Sequence, residues 1–244
     1  VGDVGHTLVV GPTGAGKSVL LALMALQFRR YPSSQIFAFD FGGSIRAAAL
    51  AMKGDWHDLG GALSDSAPEP VTLQPLAMID DGAERGWAAE WIAAILTREK
   101  IDMTPEAKEH LWSALSSLAS APAGERTLTG LSVLLQSQSL KRALQPYCLG
   151  GPFGRLLDAE AERLGAAPVQ VFETEGLIGT GAAPAILSYL FHRIEGQLDG
   201  RPTLLIIDEG WLALDDAGFA GQIREWLKTL RKKNASVVFA TQSL

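Results

Sequence analysis

Eight consecutive residues constrain this 244-residue chain more than any other feature. Gly11-Pro12-Thr13-Gly14-Ala15-Gly16-Lys17-Ser18 satisfies G-x-x-x-x-G-K-[ST] at every fixed position. The apolar run 6–10 (HTLVV) precedes it, and a helical pattern over 18–30 follows, so the motif sits between a strand and a helix. A loop wrapped around a polyphosphate must point its amide N–H groups inward. Gly11, Gly14 and Gly16 tolerate the backbone conformations and close approach this demands. The helix behind the loop offers its unpaired N–H groups to the same phosphates. These residues, with Pro12, Thr13, Ala15 and Val19, make the expected ATP-binding set. Lys17 is expected to neutralise the β- and γ-phosphates and the Ser18 hydroxyl to ligate Mg²⁺.

The other half of such a site is an acid at the C-terminal tip of a buried strand. Residues 204–209 (LLIIDE) supply four aliphatics and then two carboxylates. Asp208 is the second expected Mg²⁺ ligand, and Glu209 the group that orients and polarises the attacking water. Residues 239–242 (FATQ) end the next strand on a neutral amide. Gln242 either senses the γ-phosphate or is simply a polar strand terminus. Arg231, followed by Lys232 and Lys233, is either an arginine finger for a neighbouring site or a cation complementing a helix C-terminus. Arg155 is a second finger candidate. Asp40, ending the strand 35–40, either reaches the site or starts a turn. Asp80-Asp81 and Asp215-Asp216 read as helix-entry acids, and Trp211 and the other five tryptophans as core or interface.

Apolar runs alternating with helical patterns predict an α/β chain with a mostly parallel sheet flanked by helices. Strands are expected at 6–10, 35–40, 169–173, 203–208 and 235–241. Helices are expected at 18–30, from near Ser44, and over 84–100, 104–118, 140–147, 184–198 and 217–232. With no strand pattern between them, residues 79–165 read as an all-helical insertion within a single domain over 1–244. Starting at Val1 and stopping just after a strand, the chain reads as a fragment.

The balance of 21 basic and 27 acidic residues, net −6, argues against a surface built wholly for nucleic acid. One cysteine, Cys148, excludes an intramolecular disulfide, and the four histidines lack metal-ligand spacing. No apolar run approaches a membrane span and no signal peptide is evident, so the sequence reads as cytoplasmic and soluble.

Further stretches carry a resemblance. Gly5-His6-Thr7 leading into the phosphate loop, Ile36-Phe37-Ala38-Phe39-Asp40, Gln74-Pro75-Leu76 and Gly151-Pro152-Phe153-Gly154-Arg155-Leu156-Leu157-Asp158 belong to it. So do Asp208-Glu209-Gly210-Trp211, and Leu230-Arg231-Lys232-Lys233-Asn234 running into Ala240-Thr241-Gln242-Ser243. Over essentially its whole length the chain is similar to the C-terminal nucleotide-binding domain of conjugative-transfer ATPases of type IV secretion systems, the CagE/TrbE/VirB family, nearest its TrbE branch. The resemblance implies a RecA-like P-loop NTPase fold with an all-helical insertion, the Gln242 strand lying between those of Lys17 and Asp208. It also implies hexamers or other homo-oligomers on the cytoplasmic face of the inner membrane, working with other secretion components in pilus assembly and substrate transfer. A basic residue often follows the Asp40 position in that family, whereas Phe41-Gly42-Gly43 follows here. Two rival expectations stand beside the ATP-driven motor. One is a DNA translocase of the FtsK/HerA or coupling-protein kind; the other is a non-hydrolysing module in which nucleotide switches an interface.

Overall fold

The computed structural model describes residues 4–63, 71–209 and 217–242. The chain divides into two compact units, residues 1–60, 165–184 and 190–244 in one, and residues 61–164 with 185–189 in the other.

The first unit is built on six strands: β1 (Thr7–Val10), β2 (Gln35–Asp40), β3 (Asp55–Asp58), β4 (Val169–Glu173), β5 (Thr203–Asp208) and β6 (Ala235–Thr241). Their order is β1-β6-β5-β2-β4-β3, and every pairing is parallel. Parallel strands need crossovers, supplied by α1 (Lys17–Phe28), α2 (Arg46–Ala51), α9 (Ala183–Gly196) and α10 (Ala217–Leu230), with the short α3 (Leu59–Ala62) after β3. β2, β4 and β5 are buried at every position, which is why they read as near-continuous apolar runs.

Side-chain alternation divides the core into two faces. Ile36, Ala38, Val169, Val171, Leu204, Ile206, Val238 and Ala240 pack with Leu21 and Ala25 of α1 and with Ala48 and Ala49 of α2. The opposite face is aromatic: Phe39 lies 5.3 Å from Phe172 and 4.8 Å from Phe191 between ring centroids, and Phe191 lies 4.4 Å from Trp226. Small side chains on the first face let α1 and α2 approach the sheet, while large rings fill the space under α9 and α10. β1 is an outer strand with Leu8 and Val10 exposed. Its entry is fixed by His6, whose Nδ1 accepts from the Val237 N–H while Nε2 donates to the Leu227 carbonyl.

β3 is missed in the sequence because Asp55-Trp56-His57-Asp58 shows neither an apolar run nor an apolar/polar alternation. Its pairing with β4 makes it a strand.

All described elements wholly within the second unit are helical: α4 (Gly82–Arg98), α5 (Pro105–Leu118), α6 (Leu128–Leu134), α7 (Gln138–Leu144) and α8 (Gly154–Leu157). The unit begins earlier than the 79 suggested by the sequence and takes residues 185–189 from α9. Asp81 caps α4 by accepting from the N–H groups of Ala83 and Glu84, and Thr104 and Thr127 cap α5 and α6. Asp80 instead pairs with Arg126. Asp215, Asp216 and Trp211 lie outside the described residues.

The stretch 151–158 is architectural. A Cβ on Gly154 would fall 1.9 Å from the Cys148 carbonyl oxygen, and one on Gly151 2.5 Å from those of Gln145 and Pro146. Buried Asp158 accepts from the N–H groups of Thr129 (3.0 Å) and Leu149 (2.6 Å) and from the Thr129 hydroxyl. This node ties α6 to the 149–158 segment. Burial, reinforced by the Asp158 charge, pushes the Cys148 thiol up to about 11, which keeps it protonated and unreactive.

Candidate phosphate-binding site

The site is assembled at the C-terminal ends of β1, β6, β5 and β2. Leaving β1, the chain bends through Gly14 (φ +81°) and Gly16 (φ +84°) before α1 begins at Lys17. Both angles lie in the left-handed region that a side chain disfavours, which accounts for glycine at these two positions. Gly16 is the residue immediately before α1 and has no side chain with which to cap it, so the helix entry keeps its amides available. Gly11, Pro12, Thr13, Ala15, Ser18 and Val19 fill the remaining positions of the loop and first helical turn.

The Lys17 ammonium turns back over the loop. Nζ donates to the carbonyls of Gly11 (2.7 Å) and Pro12 (3.3 Å) and lies 4.0 Å from Glu209 Oε1. Lysine and glutamate come together although one follows β1 and the other β5, with β6 between them. Glu209 stands one residue beyond β5 with φ +50°, a costly conformation for a residue with a Cβ and one that recurs at functional positions.

β6 brings the amide. The β1–β6 register pairs Val10 with Thr241, and the Gly11 N–H donates to the Thr241 carbonyl (3.2 Å), so the two chains leave the sheet side by side. One step further, the Thr13 hydroxyl donates to Gln242 Oε1 (2.9 Å).

The acids form a row across the neighbouring tips. Asp208 is buried, and its carboxyl is pushed up to about 6 by burial first and then by the carboxylates of Asp40 and Glu209; the Glu209 N–H and Lys17 pull the other way. Asp40 is raised as well, by burial first and further by the Glu173 carboxylate. Both alternatives left open for Asp40 are realised. Its carboxylate starts a turn by accepting from the Ser44 hydroxyl (2.6 Å) and the Ile45 N–H (2.8 Å), and its charge reaches Asp208.

Glu173 is a residue that sequence reasoning missed. Buried at the tip of β4, it accepts from the N–H groups of Gly42 (3.0 Å) and Glu175 (2.9 Å) and so anchors the turn after Asp40. The signal was present: VQVFE at 169–173 is an apolar run ended by an acid, as QIFAFD and TLLIID are.

Arg231 lies elsewhere. It opens a 3₁₀ turn before β6 and is therefore at the N-terminal end of the strand whose C-terminal end carries Gln242. Seven residues of strand separate the two ends by about 20 Å. Arg155 belongs to α8 in the helical unit.

The residues fit a magnesium nucleotide. Ser18 and Asp208 are hard oxygen donors of the type Mg²⁺ takes. The crowding of Asp208 by two other carboxylates is negative charge that a divalent cation would offset. The two left-handed glycines shape the loop on which the phosphates would lie.

Comparison with known proteins agrees with this arrangement, although no family model matches the chain. It is 44% identical over 246 residues to a probable conjugal transfer protein TrbE of Sinorhizobium fredii, covering 100% of this chain and 37% of that protein. It is 42% identical over 247 residues to the conjugal transfer protein TrbE of Rhizobium radiobacter, covering 100% of this chain and 30% of that protein. The chain thus spans about a third of the length of these curated relatives. A solved structure of VirB4 from Thermoanaerobacter pseudethanolicus shares the fold at a TM-score of 0.72 and 17% identity, over 97% of this chain and 69% of that one. This chain belongs to the TrbE/VirB4/CagE family of type IV secretion proteins.

Proposed function

We propose that this chain is the ATP-binding and ATP-hydrolysing part of a type IV secretion or conjugation motor. The observation that carries the reading is the meeting of Lys17, Glu209 and Gln242 at the tips of three adjacent strands, beside a loop with the G-x-x-x-x-G-K-[ST] pattern.

Each residue has a role that follows from its chemistry. The backbone N–H groups from Gly11 to Val19 hold the phosphates, and Lys17 exchanges its loop carbonyls for the β- and γ-phosphate oxygens. Ser18 and Asp208 hold the metal. Mg²⁺, when bound, supplies charge neutralisation across the β- and γ-phosphates. Glu209 orients a water and takes its proton as the water attacks. Gln242 donates its amide N–H to the γ-phosphate. Arg231 cannot reach the same chain's loop from the far end of β6, so as an arginine finger it serves the site of a neighbouring copy. That arrangement calls for a homo-oligomer, hexameric or otherwise.

Family membership supports a place among other secretion components at the cytoplasmic face of the inner membrane, energising pilus assembly and substrate transfer. No helix among the described residues is long and apolar enough to cross a membrane.

Replacing Glu209 by Gln is the deciding experiment. Mg²⁺–ATP should still bind, and phosphate release should fall by about 10²- to 10⁴-fold, because the general base is lost while the phosphate contacts remain. Unchanged phosphate release would overturn the reading.

A further inference from the structure

Gln242 has an amide whose two ends are nearly the same size and opposite in hydrogen-bonding character: Oε1 only accepts and Nε2 only donates. For the amide to recognise a terminal phosphate, its donor end must face that phosphate. A glutamine side chain at an exposed strand end has three rotatable torsions, and nothing intrinsic to it selects one amide orientation over the flipped one.

The structure supplies a selector. The β1–β6 ladder brings the two chains out in register, ending in the bond between the Gly11 N–H and the Thr241 carbonyl. Immediately beyond it the Thr13 hydroxyl donates to Gln242 Oε1 across 2.9 Å. The acceptor end of the amide is thereby held on the loop side, and both Nε2 hydrogens are left for other acceptors. Thr13 is well suited to this work, since branching at its Cβ restricts χ1 and so the direction of the hydroxyl.

We propose that Thr13 is a positioning residue that locks the Gln242 amide with its donor end toward the terminal phosphate, giving the site its preference for a triphosphate over a diphosphate. The inference rests on the ATP-site reading above and deepens it: the third residue of the loop acts through a side chain 229 residues away, beyond any backbone contact it makes to nucleotide.

The test uses the 244-residue chain and two probes, Mg²⁺–ADP and the slowly hydrolysed Mg²⁺–ATPγS, titrated by calorimetry. Thr13→Val removes the hydroxyl at nearly constant shape, and Thr13→Ser keeps it. Thr13→Val should lower the ATPγS-to-ADP affinity ratio by about 3- to 10-fold, the effect of one ordinary hydrogen bond, and leave ADP affinity within about twofold. Thr13→Ser should keep the ratio within about twofold of the parent chain. In a Gln242→Ala background, Thr13→Val should leave the ratio unchanged, because the hydroxyl then has no amide to orient.

Equal losses for both nucleotides would make Thr13 a loop contact only and overturn the inference while sparing the ATP site. So would an undiminished effect of Thr13→Val in the Gln242→Ala background, or an unchanged ratio in the parent background. Absence of binding by the folded parent chain to either nucleotide would sink the ATP-site reading, and this inference with it.

Discussion

Asp208 carries the sharpest conflict between folding and chemistry in the molecule. An isolated aspartate ionises near pH 4, whereas this one is raised to about 6 by burial and by the charges of Asp40 and Glu209. Above pH 6 the folded protein therefore holds a carboxylate that it disfavours. Between about pH 4 and pH 6 the folded state binds a proton that the unfolded chain has released, so this group's contribution to stability declines as pH rises across that window. About two pH units correspond to roughly 3 kcal/mol. Asp208→Asn should raise the thermal unfolding midpoint at pH 7.5 without nucleotide, with the gain shrinking toward zero near pH 4. A melting series of both proteins from pH 4 to 8 checks this, and a pH-independent difference would contradict the assignment. The same substitution should weaken binding of Mg²⁺–ATP, since stability and metal binding make opposite demands on this side chain.

How much of the site the sequence revealed depends on the range of the forces that build it. The phosphate loop is legible because eight adjacent residues make it. Asp208 and Glu209 are legible because an apolar run ended by acids marks a buried strand tip. The charge coupling of Asp40 to Asp208 was not, because it depends on β2 lying beside β5, a neighbourhood the intervening sequence does not encode locally. The anchoring of the Gly42 turn by Glu173 was hidden in the same way.

Among the elements, the helical unit shows what the family-like stretch 151–158 accomplishes. Its glycines are there because other backbone atoms occupy the space of a side chain, and its terminal aspartate collects three donors. Gly154→Ala forces a Cβ against the Cys148 carbonyl and should cost on the order of 3 kcal/mol. Hydrogen exchange should register the change around α6, α8 and residues 148–158, while amides of the parallel sheet keep their protection; uniform loosening of both units would refute a local role. Short helices such as α6 and α8 escape sequence reading because they carry too few turns for a period to emerge. α5 was easy for the opposite reasons: Thr104 caps it, Pro105 starts it and its apolar face runs for fourteen residues.

For the molecule as a whole, the separation of Arg231 from Gln242 along β6 governs the expected kinetics. A finger at the wrong end of its own strand works only in a neighbour's site, and a missing finger is worth about 10³- to 10⁵-fold in turnover. Specific activity should therefore rise with protein concentration as copies associate, and Arg231→Ala should flatten that rise while leaving ATP binding by the dilute chain intact. Phosphate release measured over a hundredfold concentration range checks this; strict proportionality between rate and concentration would remove the trans role.

The strand order also bears on biosynthesis. β1, the first of the six strands to emerge from a ribosome, pairs with β6, the last of them. Until residues 235–241 are made, the strand bearing the phosphate loop lacks its neighbour in the sheet, and an apolar segment must wait while the other four strands are translated. Closure over so long a stretch is slow and leaves nascent chains open to association with one another. Nucleotide competence in this protein is accordingly a late event, acquired only when the sixth strand slides between two that are already present.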